Sequence, residues 1–391
     1  MDGFLLSRAD RTLRTSGSRD RFHEIDAAAE ALASRRVPLV VGALPFDPGD
    51  PAALTAPATA QFTDGPWRPE SLPPLPTVRL TEELPEPAEH LRRVARLLDR
   101  LRDHELQKVV AARSVVLSAR DPIDPWSLLA RLVSRDHAGN GFGVDLSPAG
   151  DGYAGHALVG ASPELLLRRT GRDVECFPLA GTAPRHADPG EDHAEGQRLL
   201  ASAKNRSEHA FVTDWIRSVL DPVCSELTVP RSPRLIGTPA VWHLGTPITG
   251  VLRDPWPSAL ELARLLHPTP AVGGTPTDAA IAAIREHEEP RRFYGGAAGW
   301  CDHDGDGEWV VAIRCAEIDA DGLRARAWAG GGIVAASDPD SELAETSAKL
   351  RTLLGALGVD PEPAVDGAQS VSEPDRLVPG DTLTRDVSGQ Q

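Results

Sequence analysis

AWAGGGIVAASDPDSELAETSAKL, residues 327 to 350, is the stretch on which the reading of the chain turns. A strand-like segment ends at Trp328 and passes into Gly330, Gly331 and Gly332. Ser337, Asp338 and Pro339 then supply helix-start chemistry, with proline in the first turn, so a strand, a turn and a helix are expected in succession. On that helix Glu342, Glu345 and Lys349 fall within about 60° of arc at roughly 100° per residue. Leu343, Leu350, Leu353, Leu354 and Leu357 form the adjacent apolar stripe, which puts the carboxylates at the edge of the buried face. Glycines let backbone N–H groups approach a ligand, a helix N-terminus favours anions, and two carboxylates can hold a divalent cation. An acidic substrate bound through a metal would use all three. An ordinary capped surface helix explains the same residues, and this stretch alone does not choose between the two.

The whole chain bounds the choice. At 391 residues and 41% hydrophobic content it can bury a sizeable core in one large domain or two. No apolar run approaches a membrane span, and MDGFLLSRADR lacks the order of a signal peptide, so a cytoplasmic protein without membrane contact is expected. Cys176, Cys224, Cys301 and Cys315 have no CxxC spacing and read as small buried hydrophobes. The net charge of −16 disfavours nucleic acid, and an acidic substrate would need cations concentrated locally.

Upstream, residues 1 to 23 read as a loosely held polar segment. A helix over DAAAEALASRR and a strand over VPLVVGALPF follow. Prolines and small residues between Phe46 and Pro87 suggest extended loops rather than folded structure. A helix over residues 88 to 104 leads into the strand KVVAARSVVL, where Lys108 shares a face with Val110, Ala112, Ser114 and Val116. Lys108 is either a snorkelling surface lysine or a partly desolvated amine able to act as a base. Past the helix PWSLLARLVSR and a glycine-rich hairpin near residues 139 to 155 comes Glu164, the only acid between Val159 and Leu167. Set in apolar surroundings it would have a raised pKa, as a general acid needs; an exposed turn glutamate is the alternative.

A long helix is expected over residues 190 to 220, with Glu208 in the middle of its buried stripe and Lys204 one turn back. A buried carboxylate requires a partner or a metal, and carboxylates from two helices suit Mg²⁺ better than one salt bridge does. His243, inside an apolar run, reads as a core histidine. LHPTPAVGGTP forms a rigid wall, and REHEEPRR, residues 285 to 292, a solvated helix end. CDHDGDGEWVVAI imitates a calcium loop but places Ile313 where a bidentate glutamate is required, so it reads as a hairpin. Arg314 is expected on the face of the following strand with Val310, Ala312 and Ala316. The tail, residues 359 to 391, is rich in Pro, Asp, Ser and Gly and is expected to be disordered.

Taken together, KVVAAR, GASPELLLR, PLAGT, SAKNRSEH, WHLGTP, LHPTPA, GGAAGWCD with EWVVAIRCAEI, and AGGGIV with ELAET and Lys349 resemble, in order and context, the chorismate-utilising enzymes. Within these the chain looks most like the isochorismate synthases of siderophore (2,3-dihydroxybenzoate) metabolism, over residues from about Val37 to about Leu357. The resemblance implies one large α+β domain, residues 24 to 358, with two antiparallel β-sheets packed face to face, helices outside and the site in a cleft between them. It implies that Lys108 activates the water attacking C2 of chorismate and that Glu164 protonates the departing C4 hydroxyl. Glu208 and Glu345 would bind Mg²⁺, with Glu342 close by. Gly181, Thr182, Ala271, Arg314, Gly330, Gly332 and Lys349 would bind substrate, and His243 would line the site. A monomer without a glutaminase subunit is implied.

The chain departs from the pattern at Ala203 and Asn205, where SEKD is common, which removes two acids near the metal. Ammonia-using relatives usually carry threonine at the position of Ala271. Anthranilate- or salicylate-forming ones commonly carry arginine where this chain has Ala183. Salicylate synthase is the main rival reading, and an inactive chorismate-binding relative the non-enzymatic one.

Overall fold

Two long neighbouring strands, Arg11–Phe22 and Ala53–Asp64, join the two layers of the molecule. The computed structural model describes residues 1–359, which pack as one unit. From Ala53–Asp64 one arm runs through Leu39–Leu44, Ala297–Asp302, Gly307–Val311, Leu165–Thr170 and Asp173–Phe177 to Ile248–Leu252 and Cys224–Thr228. From Arg11–Phe22 the other runs through Phe4–Ser7, Gly141–Asp145, Ala157–Gly160, Cys315–Ile318 and Arg324–Ile333 to Lys108–Ala119. All these pairings are antiparallel. The arms face each other across a core that mixes Leu6, Leu13, Phe142 and Trp328 from one with Val41, Ala298 and Val310 from the other. Helices Pro87–Arg102, Ala259–Leu266 and Thr277–His287 cover a second core, and Pro125–Arg135 and Pro339–Ala356 a third. A separate three-stranded sheet, ordered Leu179–Pro184, Val241–Gly245, Arg234–Gly237, packs against helices Pro189–Ala201 and Ala203–Leu220. The α+β architecture with opposed antiparallel sheets is therefore as expected.

Several boundaries differ, for physical reasons. Residues 1 to 23 are not loose: Phe4, Leu5 and Leu6 are buried, and Phe4–Ser7 is an interior strand paired on both edges. Residues 1 to 23 thus belong to the packed domain, which the sequence placed from residue 24 onward. The proline-bearing segment 46 to 87 contributes strands Ala53–Asp64 and Val78–Leu84, the second on an edge where its mostly polar residues face solvent. The helix expected over 190 to 220 is broken at Ser202, whose backbone is extended and whose hydroxyl caps the second helix by accepting from Asn205 N–H. Asn205 Nδ2 donates to the same hydroxyl at 2.9 Å, so this departure from the common motif serves the cap. REHEEPRR is not simply solvated: Glu288 and Arg291 form an ion pair with side chains 5% and 1% exposed. Arg314 does not sit within a regular strand; it lies between Gly307–Val311 and Cys315–Ile318 at φ 52°. The glycines of GNGFGVDL allow close packing, since a Cβ on Gly141 would lie 2.3 Å from Val133 of helix Pro125–Arg135. The expected tail, residues 359 to 391, lies outside the described residues except for Val359. Among the described residues no helix is long and apolar enough to cross a membrane.

Candidate active site

Strand Arg324–Ile333 ends in the three glycines, and Asp338 caps the next helix by accepting from Ser341 N–H with Pro339 in the first turn. The opening stretch therefore folds as its chemistry dictates. It forms one wall of a cleft of about 600 Å³ whose other walls come from the small sheet, helix Ala203–Leu220 and the Arg314 segment. Glu164, Gly181, Thr182, Glu208, His243, Ala271, Arg314, Gly330, Gly332 and Lys349 all line it. Lys108 and Glu345 do not line the cleft itself but pair with Glu208 and Lys349, which do, and Glu342 packs against Gly331, between two of the lining glycines.

Lys108 is fully buried, and its Nζ lies 3.3 Å from Glu208 Oε1 without hydrogen-bond geometry. Gly332 is what lets them meet. A Cβ there would lie 2.1 Å from Glu208 Oε1 and 3.1 Å from Lys108 Cε. The expectation that these glycines expose backbone N–H groups to a ligand thus gains a second cause at Gly332: room for a lysine–carboxylate pair. Gly332→Ala is expected to lower kcat/KM at least about a hundredfold by displacing that pair roughly 1 Å. Steady-state kinetics checks this, alongside a melting curve to show that the fold survives.

Glu164 is 3% exposed. Burial raises its pKa to about 7, against the downward pull of a backbone N–H at Leu179 and of Lys108, Lys349 and Arg314. His243 is buried beside Arg314 and Lys349, and burial followed by those charges holds its pKa well below the usual value, so it is neutral. Arg314 Nη2 lies 3.0 Å from His243 Nε2, and Thr182 Oγ1 lies 3.3 Å from Nδ1. Arginine can only donate, so the partners assign the proton to Nδ1 and make His243 an acceptor that orients the guanidinium. This histidine is more than core filling.

Three carboxylates are each held by an ammonium: Glu208 by Lys108, Glu342 by Lys204 at 2.7 Å and Glu345 by Lys349 at 2.7 Å. Lys349 also donates to the Gly330 carbonyl at 2.8 Å. Glu342 is 1% exposed, its Oε2 is buried without a hydrogen-bond partner, and burial followed by the charge of Glu345 raises its pKa. Among the described residues no three His, Cys, Asp or Glu side chains converge as a ready-made metal cage. The orphaned oxygen and the like-charged neighbour nevertheless fit a hard cation with oxygen ligands, and Mg²⁺ usually takes few protein carboxylates and keeps several waters.

Sequence reasoning missed Lys204 as the partner of Glu342, having offered it to Glu208. It also missed Tyr294, one of two tyrosines in the chain, which stacks on Trp328 with centroids 5.9 Å apart and planes 9° apart. Both aromatic residues line the cleft, but nothing in their local pattern separates them from core. His209, next to Glu208, bonds the Ala180 carbonyl at 3.2 Å and Thr246 Oγ1 at 2.7 Å, tying the helix to the strand that carries Gly181.

Between the glycine strand and the small sheet the cleft thus gathers acids and bases suited to acid–base chemistry on a small anion. Residues 58–358 match the family of chorismate binding enzymes, and the chain belongs to that family. It is 52% identical over 364 residues to a Mycobacterium tuberculosis protein provisionally named isochorismate synthase MenF, covering 91% of this chain and 96% of that one. It is 45% identical over 327 residues to isochorismate synthase DhbC of Bacillus subtilis, covering 83% and 81%. A crystal structure of DhbC from Bacillus anthracis, provisionally titled a 2,3-dihydroxybenzoate-specific isochorismate synthase, superposes with a TM-score of 0.84. It is 38% identical and covers 91% of this chain and 96% of that one.

Proposed function

We propose that this chain is an isochorismate synthase, an isomerase converting chorismate to isochorismate with Mg²⁺. The observation that carries the reading is a buried carboxyl lining the cleft, Glu164, that holds its proton up to about pH 7, with a buried lysine, Lys108, against the cleft-lining Glu208.

Lys108 takes a proton from water as the water oxygen bonds to ring C2. The two ring double bonds shift toward C4, the C4–O bond breaks, and Glu164 gives its proton to the departing hydroxyl, which leaves as water. One water enters and one leaves, and proton exchange with solvent resets both groups. Arg314, oriented by His243, and Lys349 donate to substrate carboxylates. The glycine strand and Thr182 shape the wall against which the ring lies.

The charges support a metal. With Lys108 as the accepting amine and Glu164 protonated, as the step requires, Lys204, Lys349 and Arg314 balance Glu208, Glu342 and Glu345, so a dianionic substrate brings two uncompensated negative charges. Glu208, Glu345 and Glu342 would hold Mg²⁺, which would supply two compensating positive charges. Ala271 lines the cleft at the position where ammonia-using relatives usually carry threonine, which supports water as nucleophile in a cytoplasmic enzyme that works without a glutaminase. The DhbC likeness supports a product destined for 2,3-dihydroxybenzoate, and so for a siderophore, while the MenF likeness supports menaquinone as the second outlet.

Incubation with chorismate and Mg²⁺, followed by separation of products, tests the assignment. Isochorismate is expected, and EDTA is expected to abolish its formation. Salicylate with pyruvate would instead make the chain a salicylate synthase.

A further inference from the structure

A second cavity, of about 810 Å³, adjoins the site. It lies between the end of helix Pro125–Arg135, helix Pro339–Ala356 and the hairpin tip at residues 238 to 240. Arg314 lines both cavities, and Pro163, the neighbour of Glu164, lines this one. Arg135, Arg351 and Arg314 face a single acid, Asp136, so the cavity carries two net positive charges in a chain of net charge −16. Asp136 is already occupied, its Oδ1 accepting from Ala138 N–H, Asn140 N–H and Asn140 Nδ2.

Arg135 and Arg351 are exposed, and among the described residues neither has a salt-bridge partner. What sets these two apart is their convergence with Arg314 on one largely apolar cavity, which offers a site for a small ring bearing carboxylates. Arg314 stands at the inner end, at φ 52°, a backbone conformation that non-glycine residues seldom keep without a reason in the surrounding structure.

We propose that this cavity is an outer docking site for the dicarboxylate substrate, which is captured by Arg135 and Arg351 and passes Arg314 into the cleft. The proposal rests on the isochorismate synthase reading for the identity of the substrate. Capture by charge raises the association rate and leaves the chemical step alone.

The test is a charge series in the full chain: Arg135→Gln with Arg351→Gln, then Arg135→Glu with Arg351→Glu. At low ionic strength kcat/KM for chorismate is expected to fall stepwise, about tenfold at the reversal, with kcat and the melting temperature unchanged. In about 0.5 M salt the differences should largely vanish. Equal kcat/KM across the series at low salt would overturn the proposal. If the wild type does not turn over chorismate, the functional reading fails by itself. The docking site is then tested by the association rate of isophthalate, followed through tryptophan fluorescence. The same stepwise loss supports it, and unchanged rates or no binding to the wild type would reject it.

Discussion

Lys108→Gln lowers kcat by about a thousandfold with little change in KM, because it removes the proposed base without opening the cleft. The Lys108 side chain is fully buried on an interior strand paired along one edge with Arg324–Ile333. Its one charged neighbour within ion-pair distance among the described residues is Glu208, and it makes no hydrogen bond. A structural salt bridge would normally complete that geometry, so the loose contact favours a group that must give up and take back a proton. The substitution also leaves Glu208 without its counter-charge, which should depress the melting temperature. Lys108→Gln with Glu208→Gln separates the two effects. Thermal stability should recover in the double variant and turnover should not. Recovery of turnover with stability would show that Lys108 is only a counter-ion.

Glu164→Gln is the second large effect. The amide keeps the shape but has no proton to give, so kcat/KM should fall by about 10² to 10⁴. The pH profile identifies the role. Glu164 is the raised group, with a pKa of about 7, and it must be protonated to act. Below that pH the wild type holds the proton; above it, the protonated fraction falls tenfold per unit and kcat/KM with it. The variant should lose this alkaline limb along with its rate. Retention of the limb in Glu164→Gln would assign it to another group. Arg314 and Lys349 pull the pKa down, so substitution of either should move the limb to higher pH as well as weaken substrate binding.

How far the sequence leads depends on the kind of evidence each residue carries. Glu208 could be found because helical periodicity places it in an apolar stripe, where an acid needs an explanation. Glu164 stood alone among apolar residues, and the glycines and cap of residues 327 to 350 are local signals. The opposed sheets came from the order of motifs, since no single strand reports its partner. What could not be read is long-range: that Lys204 reaches Glu342, 138 residues away, that Tyr294 stacks on Trp328, and that His243 accepts from Arg314. Strand Arg11–Phe22 was misread because the many polar residues of a strand that bridges two layers look like a loop. Ser202 broke a helix whose hydrophobic pattern runs on across it, because a cap acts through one hydroxyl and leaves no periodic trace.

Oxygen tracing tests the central claim most directly, since water attack and loss of the C4 hydroxyl must put a solvent oxygen on C2. Initial-rate turnover of chorismate with Mg²⁺ in H₂¹⁸O, read by mass spectrometry, should yield isochorismate carrying one ¹⁸O at C2. Unlabelled isochorismate, or a product other than isochorismate, would contradict it.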